Sequence, residues 1–141
     1  MGPQSIVVSA VIMQDPSGRL LTVRKQGTSR FMLPGGKPEP GEDALTTAVR
    51  EAAEELAVSL KPEQMRAWGV FTTLAANEAG TALVASVFEH PYVAGVHPCA
   101  EIAEARWEDL DADNAADLAP LTVEVMGLLR QRRPCGDAVP G

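Results

Sequence analysis

The chain has few cysteines, few histidines and few basic residues, and each shortage removes a class of protein. Its two cysteines, Cys99 and Cys135, stand far apart, the second in a Pro/Gly-rich tail, so there is no disulfide framework to read. A reducing, cytoplasmic setting is the expectation. His90 and His97 share no ligand spacing with one another and are assigned no catalytic role. Twelve Lys and Arg against nineteen Asp and Glu leave a formal net charge of -7, the wrong sign for following a nucleic-acid backbone. A phosphate-bearing partner would then have to be held by local chemistry, with bridging cations the obvious means. No apolar run approaches the roughly 18 residues needed to cross a bilayer, and no basic segment followed by an apolar core opens the chain. The expectation is a soluble, unprocessed protein with no nucleic-acid or membrane partner, a homodimer being left open.

At 141 residues the chain fits one domain, which we place at residues 1–131, with 132–141 expected to be a disordered tail. Ser5 to Met13 and Arg19 to Arg24 read as strands, and Asp15-Pro16-Ser17-Gly18 as the turn of a hairpin between them. Pro34-Gly35-Gly36 has too few side chains for a regular element. From about Asp43, Leu45, Ala48, Val49, Ala52 and Leu56 recur at helical spacing and form one apolar stripe. Arg66 to Leu74, Thr81 to Glu89 and Glu104 to Leu110 read as further strands, and Leu118 to Leu129 as a second amphipathic helix. Strands and helices mix without regular alternation, so the class is α/β or α+β: a mixed sheet with a helix covering each side. Phe31, Phe71 and Trp107 are read as core or pocket wall rather than as a base-stacking platform.

Chemistry concentrates at the first helix. At about 100° per residue, Glu51, Glu54 and Glu55 share one flank of the apolar stripe within an arc of about 100°. Glu51 and Glu55 are a like-charge pair at i,i+4, which is mildly destabilising, and Arg50 is the basic residue beside them. Alone, the cluster reads as a solvated acidic face. Upstream, Leu33-Pro34-Gly35-Gly36-Lys37-Pro38-Glu39-Pro40-Gly41-Glu42 supplies three glycines and three prolines, a stiff loop that exposes its backbone. Such a loop feeding three clustered carboxylates suits magnesium, which takes oxygen ligands from carboxylates and substrate phosphates.

Gly36, five residues, Glu42, seven residues, then Arg50-Glu51-Ala52-Ala53-Glu54-Glu55-Leu56-Ala57-Val58 resembles the Nudix box, G-x5-E-x7-R-E-U-x-E-E-x-G-U with U a bulky aliphatic. Six fixed glycine or charged positions fall in register. Ala57 stands where the family has glycine, and Ala52 is small for its position. The Pro-Gly-Gly lead-in and the segment Glu101 to Trp107 also look like the family, so the resemblance covers roughly residues 5 to 130. It implies the Nudix fold, an α/β/α sandwich around a mixed β-sheet, and Mg2+-dependent hydrolysis of a nucleoside diphosphate linked to another group, with Mn2+ able to substitute. It further implies that Glu51, Glu54 and Glu55 with the Gly36 carbonyl hold metal, and that Glu42 and Arg50 pair to hold the loop. Arg24, Gly35 and Lys37 would meet substrate. The base would be Glu51 or Glu54, or an acid from a later loop, Glu101 first and Glu89 second.

The substrate reading leans to a nucleoside triphosphate, normal or oxidised. Leu20 to Arg24 is similar to the start of a coenzyme A subfamily signature whose remainder is missing. Thr72-Thr73-Leu74 lacks the proline or tyrosine that marks ADP-ribose or dinucleoside polyphosphate subfamilies. ADP-ribose or another nucleotide sugar is the alternative, and a non-catalytic ligand sensor the alternative of another class.

Overall fold

The computed structural model describes residues 5–76, 79–112 and 115–133. Strand β1 (Ser5–Ile12) is the central apolar run, followed by β2 (Leu20–Lys25). The turn expected between them forms: Asp15 Oδ1 accepts from the Ser17 and Arg19 amides at 3.0 and 2.8 Å. The hairpin does not continue beyond the Gln14–Leu20 bridge and the bond from the Leu21 amide to the Met13 carbonyl at 2.9 Å. Gly35–Gly36, which we expected to be irregular, is a two-residue strand, β3, antiparallel to Ser9 and Ala10 of β1. Together with the bond from the Val11 amide to the Pro34 carbonyl at 2.9 Å, it fills the edge of β1 that β2 would have used. Each backbone group in a ladder needs one partner, so β2 leaves and pairs instead with β6 (Ile102–Glu108) in a second sheet.

The larger sheet is mixed. Strands β4 (Arg66–Leu74) and β5 (Ala82–Glu89) form an antiparallel hairpin, β5 runs parallel to β1, and the order is β3-β1-β5-β4. Helices α1 (Ala44–Leu56) and α2 (Pro120–Arg132) cover opposite faces. Strand alternation explains the two cores. Ala10 and Ile12 join Ala85 and Val87 under Leu121, Val125, Met126 and Leu129, whereas Val11 and Met13 join Leu21 and Val23 under Ala48, Ala52 and Leu56. This is the expected α/β/α arrangement. Leu56 is 1% exposed, and truncating such a side chain to alanine costs about 2–5 kcal/mol.

Both ends of α1 bear on the site. Asp43 caps its start, accepting from the Thr46 amide at 2.8 Å, a bond that satisfies one of the orphan amides of the first turn. Ala57 ends it in the left-handed region at φ 58°, its amide bonded to the Ala53 carbonyl at 3.1 Å. This conformation strains any residue with a Cβ by about 1–2 kcal/mol. The last-turn carbonyls of Glu55 and Leu56 accept from the amides of Cys99 and His97 at 2.8 and 3.0 Å, which straps the segment leading into β6 onto the end of α1. Helix α2 is longer than expected. Arg132 ends it and pairs with Glu89, while Arg133 pairs with Asp111; the remainder of the expected tail lies outside the described residues. Among the described residues no helix is long and apolar enough to cross a membrane.

Candidate active site

The glycine pair is set by contact distances. A Cβ on Gly35, whose φ is 155°, would fall 2.0 Å from the Ser9 carbonyl oxygen, and one on Gly36 would fall 2.3 Å from Oε2 of Glu51. Only glycine lets β3 lie against β1 on one side and against the helix carboxylates on the other. The Ser9 hydroxyl fixes the start of α1 by donating to the Ala44 carbonyl at 2.8 Å. Glu51 and Glu55 therefore lie against this backbone, and the three helix glutamates are not equivalent.

Glu55 is buried at 2% exposure, deeper than a position on the flank of the stripe suggested. Its Oε1 accepts from the Gly35 amide at 3.1 Å, and its Oε2 is buried with no hydrogen-bond partner among the described residues. Burial pushes its pKa up to about 8; the Gly35 amide opposes this and neighbouring Glu51 adds to it. Burial also raises the pKa of Glu51, against the pull of the adjacent Arg50 guanidinium. Glu54 is the exposed member.

Arg50 organises the surroundings. Its Nε and Nη2 donate to both oxygens of Glu42 at 2.7 and 2.8 Å, Nη1 reaches Glu51 at 3.2 Å and Glu54 at 3.1 Å, and Nη2 reaches the Lys37 carbonyl at 3.0 Å. The fork ties the loop to the helix. Arg50 holds the Glu42 carboxyl down to about 2, helped by the Glu39 amide, and Glu42 in turn raises the Arg50 pKa.

Arg50, Glu51 and Glu54 border a cavity of about 560 Å³ that is also lined by Lys25, Gly35, Gly36, Lys37, Glu39 and Glu101, with a mostly apolar remainder; Glu42 and Glu55 do not line it. The volume is in the range of small-molecule sites. Glu101 enters from the strapped segment, 64% exposed, with its carboxylate 3.7 Å from Lys25 Nζ. Two candidates lie elsewhere. Arg24 donates to the Thr28 carbonyl at 2.8 Å and to Glu104 at 3.4 Å and does not border the cavity. Glu89 is held by Trp68 and Arg132. His90 is buried, accepting from the Lys61 amide at 3.0 Å. Lys25 is the residue that sequence reasoning missed. Adjacent strand residues face opposite sides, a register shift falls between Arg24 and Lys25, and nothing in the sequence says which of the two faces the cavity.

The donor set fits a hard divalent cation. The stranded oxygen of Glu55, the carboxylates of Glu51 and Glu54 and the bare backbone of Gly36 are oxygen ligands of the kind magnesium takes. Among the described residues no three acidic, histidine or cysteine side chains already form a closed cage, which suits an ion that completes its shell with substrate and water.

A family model, the NUDIX domain, matches residues 3–126. The chain belongs to the Nudix family. It is accordingly a hydrolase of pyrophosphate bonds in nucleoside diphosphate derivatives. No curated protein matches this Nudix chain closely in sequence, but solved structures share its fold. The MutT protein from Methanosarcina mazei Go1 superposes with a TM-score of 0.75 at 20% identity, covering 95% of this chain and 99% of the other. A MutT NUDIX hydrolase from Burkholderia pseudomallei gives 0.74 at 22%, covering 88% and 97%. A C. elegans Ap4A hydrolase gives 0.61 at 21%, covering 88% and 93%.

Proposed function

We propose that this Nudix hydrolase is a Mg2+-dependent pyrophosphohydrolase, served also by Mn2+, that converts a nucleoside triphosphate, normal or oxidised, into the monophosphate and pyrophosphate. The observation that carries the cation dependence is the Glu55 carboxylate, buried with one oxygen unpartnered beside glycine backbone. A buried carboxylate in that state is stabilised by a proton or a cation. Glu51, Glu54, Glu55 and the Gly36 carbonyl would hold the ion, which supplies charge neutralisation at the phosphates and a more acidic attacking water.

The chain's own residues then divide the work. Lys25 and Lys37 border the cavity and bind phosphate oxygens. Glu101, which comes from a different element than the box, accepts the proton of the water as its oxygen bonds to phosphorus, and the bridging P–O bond breaks to release pyrophosphate. Glu42 and Arg50 keep the loop in register. A single nucleoside with its phosphates suits the cavity volume, and the wall lacks aromatic side chains among the described residues.

The test is hydrolysis across nucleoside triphosphates, ADP-ribose and nucleotide sugars with Mg2+, Mn2+ or EDTA. Cation-dependent release of pyrophosphate from triphosphates is expected. Turnover that survives EDTA would defeat the cation reading, faster cleavage of ADP-ribose would move the substrate, and tight binding without turnover would make the protein a sensor.

A further inference from the structure

Thr47 stands at the start of the acidic flank of α1, within about 40° of Glu51 and about 20° of Glu54 at about 100° per residue, and is 0% exposed. Inside a helix, threonine is a poorer helix former than alanine, and burying its hydroxyl costs free energy unless that group is bonded. Two acceptors flank the hydroxyl: Glu42 Oε1 at 2.8 Å and the Asp43 carbonyl at 2.9 Å. The carbonyl, one turn back, is the acceptor any helical threonine can find, and it already takes the Thr47 amide at 3.0 Å. The carboxylate is the stronger acceptor because it is charged. The hydroxyl has one proton to donate, and Glu42 draws it.

What this bond adds is an anchor. The Arg50 fork fixes itself and the Glu42 carboxylate relative to one another, but two paired side chains can swing as a unit unless something holds them to the backbone on each side. On the loop side the Glu39 amide donates to Glu42 Oε1 at 2.9 Å, and the Lys37 carbonyl takes Arg50 Nη2 at 3.0 Å. On the helix side the anchor is Thr47, whose short, β-branched and buried side chain has little rotamer freedom. With the pair held, the remaining guanidinium nitrogen, Nη1, lies 3.2 Å from Glu51 Oε2 and 3.1 Å from Glu54 Oε1 and keeps both carboxylates gathered at the cavity. We infer that Thr47 is a positioning residue for the cation site: through Glu42 and Arg50 it presents Glu51 and Glu54 in one arrangement, so that an arriving divalent cation has less ordering to impose. This rests on the cation reading above and extends it to a side chain that does not border the cavity.

The experiment measures Mn2+ binding to the cation-free protein, read from the paramagnetic resonance signal of free Mn2+, for the wild type, Thr47→Val, Thr47→Ala and Thr47→Ser, with Tm in EDTA recorded for each. Valine keeps the shape and burial without the hydroxyl and should raise the Kd for Mn2+ about tenfold, the low end of what losing an outer-shell partner does. Alanine should do the same without the methyl that valine sets against Glu42, so the test stands even where valine does not fold. Serine keeps the hydroxyl and should hold Kd within about twofold of the parent. A threonine that serves the fold alone would lower Tm in the valine and alanine variants with Mn2+ affinity intact, and that result overturns the inference while leaving the cation reading in place. Serine losing as much affinity as valine overturns it as well. A wild type that binds no Mn2+ overturns both.

Discussion

Glu55 and Glu89 are both withdrawn from solvent and have opposite surroundings. The Glu89 carboxylate accepts from Trp68 Nε1 at 3.0 Å and from two Arg132 nitrogens at 2.8 and 2.9 Å, and Arg132 lowers its pKa. Glu55 has one amide and an oxygen with nothing to bond. A carboxylate that serves the fold is satisfied within the fold, and one left short is suited to a ligand. The motif around Glu55 separates the two in the sequence, but the difference in hydrogen bonding exists only in the folded chain.

The largest expected effect would sharpen that contrast. Glu55→Gln and Glu54→Gln should each lower kcat by about 100-fold or more, and Glu55→Gln should leave the melting temperature of the cation-free protein unchanged or higher, because a neutral group suits that burial. Glu89→Gln should do the reverse, lowering Tm with kcat nearly intact. Equal losses of rate at Glu55 and Glu89 would erase the distinction. Next in size, Glu101→Gln should reduce kcat by ~10- to 10³-fold with KM roughly preserved; an unchanged rate would take Glu101 out of the chemistry.

Arg50→Ala should reduce activity and also lower Tm by about 5 °C or more, because Glu42 and part of Glu51 lose their counter-charge. Loss of rate at the parent's Tm would instead give Arg50 a role in catalysis alone. The pH profile of stability follows from Glu55, whose folded pKa of about 8 lies above the ordinary 4.5. Between those values the folded state binds more protons than the unfolded one, so this contribution is fully present below pH 4.5 and is lost as pH rises through 8. Melting of the cation-free protein should therefore move to lower temperature across that window, and Glu55→Gln or added Mg2+ should flatten the trend. A slope unchanged by both would mean that Glu55 is not the titrating group. The smallest effect is at Ala57, where glycine would relieve the left-handed strain and lose part of the gain to a freer unfolded chain. The expected net stabilisation is about 0.5–1 kcal/mol, with activity unchanged; a destabilised variant would show that no strain is held there.

The helix carrying Glu51, Glu54 and Glu55, and the loop tied to it through Glu42 and Arg50, were legible because spacing along one helix converts directly into position on its surface. The strands of the β4–β5 hairpin were legible as strand-forming runs on either side of a polar, glycine-containing loop. What the sequence hid depends on contacts between distant segments. The hairpin expected of β1 and β2 breaks because Gly35–Gly36 takes the edge of β1, and the depth of Glu55 depends on that same docking. The choice of Lys25 over Arg24 exists only once the two sheets have closed on one another.

The parallel pairing of β1 with β5 sets Ser5 opposite Ala82, so the central ladder of the sheet joins the first described strand to one formed much later in the chain. Contacts of that range must overcome the entropy of closing a long loop before they repay it, and they slow folding. The Nudix box is contiguous and can turn helical early, but the cavity has no floor until β5 is in place. During synthesis the nascent protein would therefore carry its acidic helix as an unassembled part, and competence for substrate would arrive in one late step.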